Sequence, residues 1–259
     1  MPTVSPRITT AATTTSKRFH WLLAALLLQL VASPFVDGAP GAVVQDILFL
    51  GILLAALGIA GKSWLHRTNC VLTGLCACAV VVKYTTGLLY VDIFGDVLVA
   101  TVILFTAIEV SQYLSRQRRV DLDTVLGGLC VYLFVGAMWY VLYSLVLRLN
   151  PAAFDFTVHG QHLPDQEQQR LLFFFSYVTL LTTGYGDIVP ISPVARTLSV
   201  LEGIAGQFYM VFFMARLVGL HVAEKERVVP AKTPPESPPR PLSTTTPAPR
   251  QAAPDHPET

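Results

Sequence analysis

The sequence predicts an all-α membrane protein: six transmembrane helices, plus one shorter re-entrant helix that runs into an extended loop. Three observations carry that prediction. Hydrophobic residues make up 53% of the 259 and charged residues only 14%, with a mean hydropathy of +0.54, whereas soluble domains carry roughly 25% charge. The charges gather between long apolar runs and in the two tails. Lys and Arg also cluster in alternate connections, as expected of a chain threaded through a bilayer.

Each element follows from length. A hydrocarbon core of roughly 30 Å needs about 20 apolar helical residues. The runs near 19–36, 43–61, 70–90, 96–114, 124–147 and 193–221 meet that need. The run at 168–181 reaches only about 20 Å at roughly 1.5 Å per residue, so it should enter the membrane and turn back.

Orientation follows from the loops. Arg7, Lys17 and Arg18 precede the first span. Lys62 and Arg67 follow the second, Arg116, Arg118 and Arg119 the fourth, and Arg216, Lys225 and Arg227 close the sixth. Loops near Asp37 and Asp46, and near Asp92 and Asp96, hold no Lys or Arg. Both termini are therefore expected in the cytoplasm and the re-entrant segment outside. Lys17-Arg18, the apolar run after it, and the small residues at Ala32-Ser33 and Gly38-Ala39 also fit a cleaved signal peptide. That reading leaves five spans with the same orientation.

The chain divides accordingly. Residues 1–18 and the Pro-rich 229–259 read as disordered cytoplasmic tails. Residues 19–114 form a four-helix membrane domain and 124–223 a second unit. Cys70, Cys76, Cys78 and Cys130 lie in or beside apolar runs, without the paired spacing of a zinc site. A net charge of +1 points to no nucleic-acid partner. The partner the composition demands is membrane lipid.

Chemistry concentrates in Phe173 to Asp187. A short helix should end near Leu181, and an extended Thr182-Thr183-Gly184-Tyr185-Gly186 follows. Non-helical backbone at membrane depth is tolerated only when buried in protein or lining water. Gly184 and Gly186 permit dihedrals that let successive carbonyls point to one side. Four such segments around an axis would stack oxygen rings that replace a potassium ion's water shell. The carbonyls of Thr182, Thr183, Gly184 and Tyr185, with the Thr182 hydroxyl below, would supply those rings. The short helix would aim its negative end at the ion, and Tyr185 would point away from the axis as a spacer against residues 174–177.

In this segment the sequence resembles the potassium-channel superfamily, whose filter reads Thr-x-Gly-Tyr-Gly-Asp. The likeness is specific over about 170–220. The run from Ala195 through Glu202 to Ala215-Arg216-Leu217 looks most like small bacterial members. The resemblance implies a tetrameric ion channel, a homotetramer here because one chain supplies one filter segment, with K+ as permeant ion and no cofactor. Residues 124–223 would then be the pore domain: outer helix, pore helix, filter and inner helix. Asp187, Phe174, Phe175, Val178 and Glu202 are filter-support candidates, and Gly206, ten residues after Arg196, is a gating-hinge candidate. Close helix packing explains Gly206 equally well. Glu202 would either brace the pore helix or face the ion path.

The chain departs from the family pattern in three places. Phe174 and Phe175 stand where members often have tryptophans, and phenylalanine has no N–H to donate. Val178 occupies a position where some members carry a carboxylate, and Thr183 one where Val or Ile is usual. Bracing of the filter, and with it strict selectivity, is thereby weakened.

Other residues invite simpler readings. The fourth span holds no arginine before Arg116, so steep voltage gating is not expected. Lys83 and Glu109 lie within spans at different depths. Lys83 is expected to reach Asp92 or Asp96, and Glu109 to snorkel or bond a neighbouring helix. Ser192 and Pro193 suit an N-cap and first turn. Asp155, Asp165 and Glu167 in the outer loop could attract cations but suit solvated loop charge better, as His159 and His162 suit an ordinary loop. No nucleophile–base set supports an enzyme.

Overall fold

A computed structural model describes residues 18–35, 38–58, 64–86, 88–117, 121–156, 158 and 163–228. The two tails, Lys62, Arg118, Arg119, His159 and His162 lie outside the described residues.

The described residues are almost wholly helical: α1 (Arg18–Ala32), continued by a 3₁₀ turn (Ser33–Phe35), α2 (Gly38–Leu57), α3 (Trp64–Thr86), α4 (Leu89–Arg116), α5 (Leu122–Leu149), α6 (Asp165–Leu180) and α7 (Pro193–Val228). Among the described residues four helices are long and apolar enough to cross a membrane: α3, α4, α5 and α7 over Pro193–Ala223. The apolar parts of the first two, Phe19–Phe35 and Val43–Leu57, are shorter.

Observed bounds differ from the apolar runs in an instructive way. α3 begins at Trp64 rather than 70, and α4 at Leu89 rather than 96. The added turns carry polar residues that an apolar window rejects and that pair inside the fold. Asp165 and Glu167, expected in a loop, lie in the first turn of α6, where carboxylates suit the positive end of the helix.

Two apolar cores meet on α5. Phe19, Leu53, Val102, Ile103 and Phe134 centre the first, which joins the N-terminal helices to one side of α5. Tyr143, Leu172, Phe175, Ile188 and Ala195 centre the second, which joins α5 to α6 and the start of α7. Gly136 lets α6 approach, because a Cβ there would lie 2.6 Å from the Tyr177 ring.

Sequence periodicity did not reveal a two-stranded antiparallel pair, β1 (Phe154–Asp155) with β2 (Val189–Pro190), in register Phe154↔Pro190. Ile191 and Ser192 also donate backbone N–H groups to the Ala153 carbonyl. Together these contacts tie the segment after α6 to the end of α5. Ser192 caps α7 as expected, its Oγ accepting the Ala195 N–H at 3.1 Å.

Candidate functional site

The site is built outward from the end of α6. The helix stops in a motif in which the Thr183 N–H bonds the Val178 carbonyl and the Thr182 N–H bonds the Thr179 carbonyl, both at 2.9 Å. That pattern needs a left-handed residue between them, usually glycine; here it is Thr182, with φ +56°. Gly184 (φ +58°) and Gly186 (φ +76°) are also left-handed. Left-handed backbone thus recurs at every second position from 182 to 186. The Leu180 carbonyl takes a hydrogen bond from the Tyr132 hydroxyl at 3.0 Å, so the last turn of α6 is anchored to α5.

The aromatic residues of α6 divide by face. Phe175 packs edge-on against Tyr143 and Phe154, and Phe173 against Tyr140 and Tyr177. Phe174 faces the other way and stacks on Tyr185, rings 6.0 Å apart and nearly parallel. Tyr177 donates to the Leu133 carbonyl at 2.9 Å. Val178 is buried, and Asp187 is half-buried just beyond the loop.

Glu202 is fully buried, at 0% exposure, on the side of α7 that meets α5 and α6. Tyr143 of α5 donates to its Oε2 at 2.5 Å, and its Oε1 lies 2.6 Å from Ser176 Oγ of α6. Ser176 Oγ is also 2.7 Å from the Gly136 carbonyl. One carboxyl group thus joins all three elements around the loop. Sequence reading missed Ser176, Tyr143, Tyr132 and Tyr177. Their signal was a polar atom inside an apolar run, with nothing local to say where it pointed.

Gly206 lies where a Cβ would come within 2.6 Å of the Leu180 carbonyl oxygen. The close approach of α7 to the end of α6 accounts for this glycine, and α7 runs through it unbroken. Next to it, the Gln207 carboxamide donates to the Thr182 hydroxyl at 3.4 Å. Thr179, Thr182, Gly184, Gly203, Gln207 and Phe208 line one open groove.

Of the charges within the helices, Lys83 pairs differently from expectation, whereas Glu109 bonds a neighbouring helix as expected. Lys83 bonds Asp46 of α2 at 2.9 Å rather than Asp92 or Asp96, because both of those are taken by Arg148 of α5, at 3.3 and 2.7 Å. Glu109 accepts the Asn69 amide of α3 at 2.9 Å. Arg216 donates to the Leu114 carbonyl at 2.6 Å, capping the end of α4. Among the described residues no cluster of His, Cys, Asp and Glu could hold a metal ion.

Residues 163–221, spanning α6, the loop and most of α7, match a protein family described as "Ion channel". No curated protein and no solved structure matches the chain. The chain therefore carries a segment similar to an ion-channel domain alongside helices long and apolar enough to cross a membrane, which points to transport rather than enzymatic catalysis.

Proposed function

We propose that the chain is one subunit of a homotetramer that passively conducts K+ through a filter formed by the backbone of Thr182, Thr183, Gly184, Tyr185 and Gly186. The observation that carries this reading is the left-handed backbone at residues 182, 184 and 186. In an extended strand carbonyls alternate sides; inverting every second residue turns successive peptide planes the same way. Four copies then present rings of oxygens from Thr182, Thr183, Gly184 and Tyr185 as K+ sites in place of water. The ion-channel match over the same residues supports it, as does the negative end of α6 beside the loop.

Assembly follows from exposure. Tyr185 is 68% exposed and Leu181 58% in the single chain. Their neighbours Thr182 and Gly184 line the open groove between the loop and α7, a surface that copies around an axis would cover. The chain is placed in the cell membrane with six spans and both termini cytoplasmic, by the loop charges. Asp187, Phe174, Phe175, Val178 and Glu202 hold the filter from behind, and a bend of α7 at Gly206 would part it from the end of α6, against which it packs closely.

Potassium flux into proteoliposomes, wild type against Gly184→Ala, tests the filter. A side chain at φ +58° is strained whatever the space, so flux should fall at least about tenfold, the equivalent of ~1.4 kcal/mol. Intact flux in the variant defeats the assignment.

A weakly selective cation channel is the second reading, and one feature favours it. Phe174 and Phe175 meet rings and offer no N–H to the loop, so these two side chains brace it by ring packing alone. Reversal potentials in mixed potassium and sodium separate the readings; a potential that ignores the potassium gradient supports the second. A non-conducting accessory subunit would give no flux in either protein.

A further inference from the structure

The contacts around Glu202 allow only one consistent placing of protons. Ser176 Oγ lies 2.7 Å from the Gly136 carbonyl and 2.6 Å from Glu202 Oε1. A serine hydroxyl has one hydrogen, and a carbonyl can only accept. If the serine proton goes to the carboxylate, two lone-pair oxygens are left facing each other at 2.7 Å. If it goes to Gly136, the short Ser176–Glu202 contact requires a hydrogen from the glutamate. On the other side Tyr143 must donate to Glu202 Oε2 at 2.5 Å. The Ser199 hydroxyl, 3.5 Å from Tyr143, already donates to the Ala195 carbonyl at 2.9 Å.

We infer that Glu202 is protonated in the folded protein and is a positioning residue whose proton completes a one-way chain, Tyr143 to Glu202 to Ser176 to the Gly136 carbonyl, that holds α6 behind the loop. Each of the three short contacts then holds one hydrogen, and the 3.5 Å contact of Tyr143 with Ser199 is the one left without. The titratable groups facing Glu202 are Tyr143 and Tyr132 of α5 and Tyr177 of α6. Among the described residues no cation faces it.

Ionisation releases one proton to solvent and leaves a carboxylate that must draw the Ser176 hydrogen to itself. The bond from Ser176 to Gly136 is then lost, and α6 loses its middle anchor on α5. Raising pH is the direction that breaks the chain. Its effect on conduction rests on the pore reading above, whereas the protonation itself does not.

The test uses the full chain in lipid vesicles, read by infrared difference spectroscopy and by potassium flux on the same preparation. Wild type minus Glu202→Gln should show the C=O band of a protonated carboxyl at neutral pH, disappearing as pH rises. Gln keeps an acceptor for Tyr143 and a donor for Ser176, so Glu202→Gln should conduct without the alkaline fall seen in wild type. Ser176→Ala keeps the carboxyl but removes its acceptor, and should move the band to higher frequency. Carboxylate bands at neutral pH in the wild-type difference, or an unmoved band in Ser176→Ala, overturn the inference. If wild type shows the acid band but no flux at any pH, the conduction reading fails and the protonation stands.

Discussion

Thr182 holds a backbone conformation that suits glycine, and it does so because two hydrogen bonds from residues 182 and 183 close the end of α6 around it. A non-glycine residue in that region costs of order 1 kcal/mol or more. Retaining threonine there makes sense if its hydroxyl is used, and that hydroxyl is held by Gln207. Thr182→Gly should therefore stabilise the assembled protein by about 1 kcal/mol while weakening selectivity in bilayer recordings. A variant that is both more stable and equally selective would show the hydroxyl to be idle. Gly206 poses the opposite constraint. A Cβ there would lie 2.6 Å from the Leu180 carbonyl oxygen as well as 2.9 Å from a Leu180 side-chain methyl, and the backbone oxygen cannot swing aside. Gly206→Ala should cost about 1–3 kcal/mol by overpacking, seen as an earlier thermal transition. An unchanged transition would mean that α6 and α7 separate there without penalty.

At the scale of elements, α5 organises the molecule, with the N-terminal helices on one side and α6 and α7 on the other. Its carbonyls from Gly128 to Gly136 receive hydroxyls from Tyr209, Tyr177 and Ser176. Accepting these costs α5 nothing in its own ladder, because each carbonyl has a second lone pair. Arg148 fastens the N-terminal end of α4 to α5 through Asp92 and Asp96, side chains about one-fifth exposed. Arg148→Ala leaves two carboxylates facing each other and should cost about 3 kcal/mol, the scale for breaking a largely buried pair. A double-mutant cycle with Asp96→Asn should recover part of that cost. Simple additivity would show the pair to be solvated. Element limits at this scale were partly legible. The end of α6 near Leu181 and the capped start of α7 were read from local signals. The first turns of α3 and α4 were missed because His66, Asn69 and Asp92 look like loop residues until their partners are in place.

For the whole molecule, the surface around the loop and α7 is apolar where a lone chain would leave it bare. Phe208, Val211, Phe212 and Val218 are exposed along α7. On the pore reading lipid covers part of that face, whereas the polar backbone of residues 182–186 needs neighbouring copies to cover it. A mass measurement in lipid nanodiscs should give four copies of the 28.3 kDa chain. A monomer or dimer would leave the loop without an axis and would favour an accessory role.

Composition, length and local pattern sufficed for the helical membrane class, the short helix and the loop after it, because hydropathy and glycine conformation act within a few residues of chain. The same locality limited them. Whether Lys83 meets Asp46 or Asp92, whether Glu202 turns toward Ser176 or an ion path, and whether Gly206 is a crowded contact depend on the depth and rotation of one helix against another. Those quantities are set by packing among all the helices at once, so no single stretch of sequence contains them, and only the tertiary structure decided them.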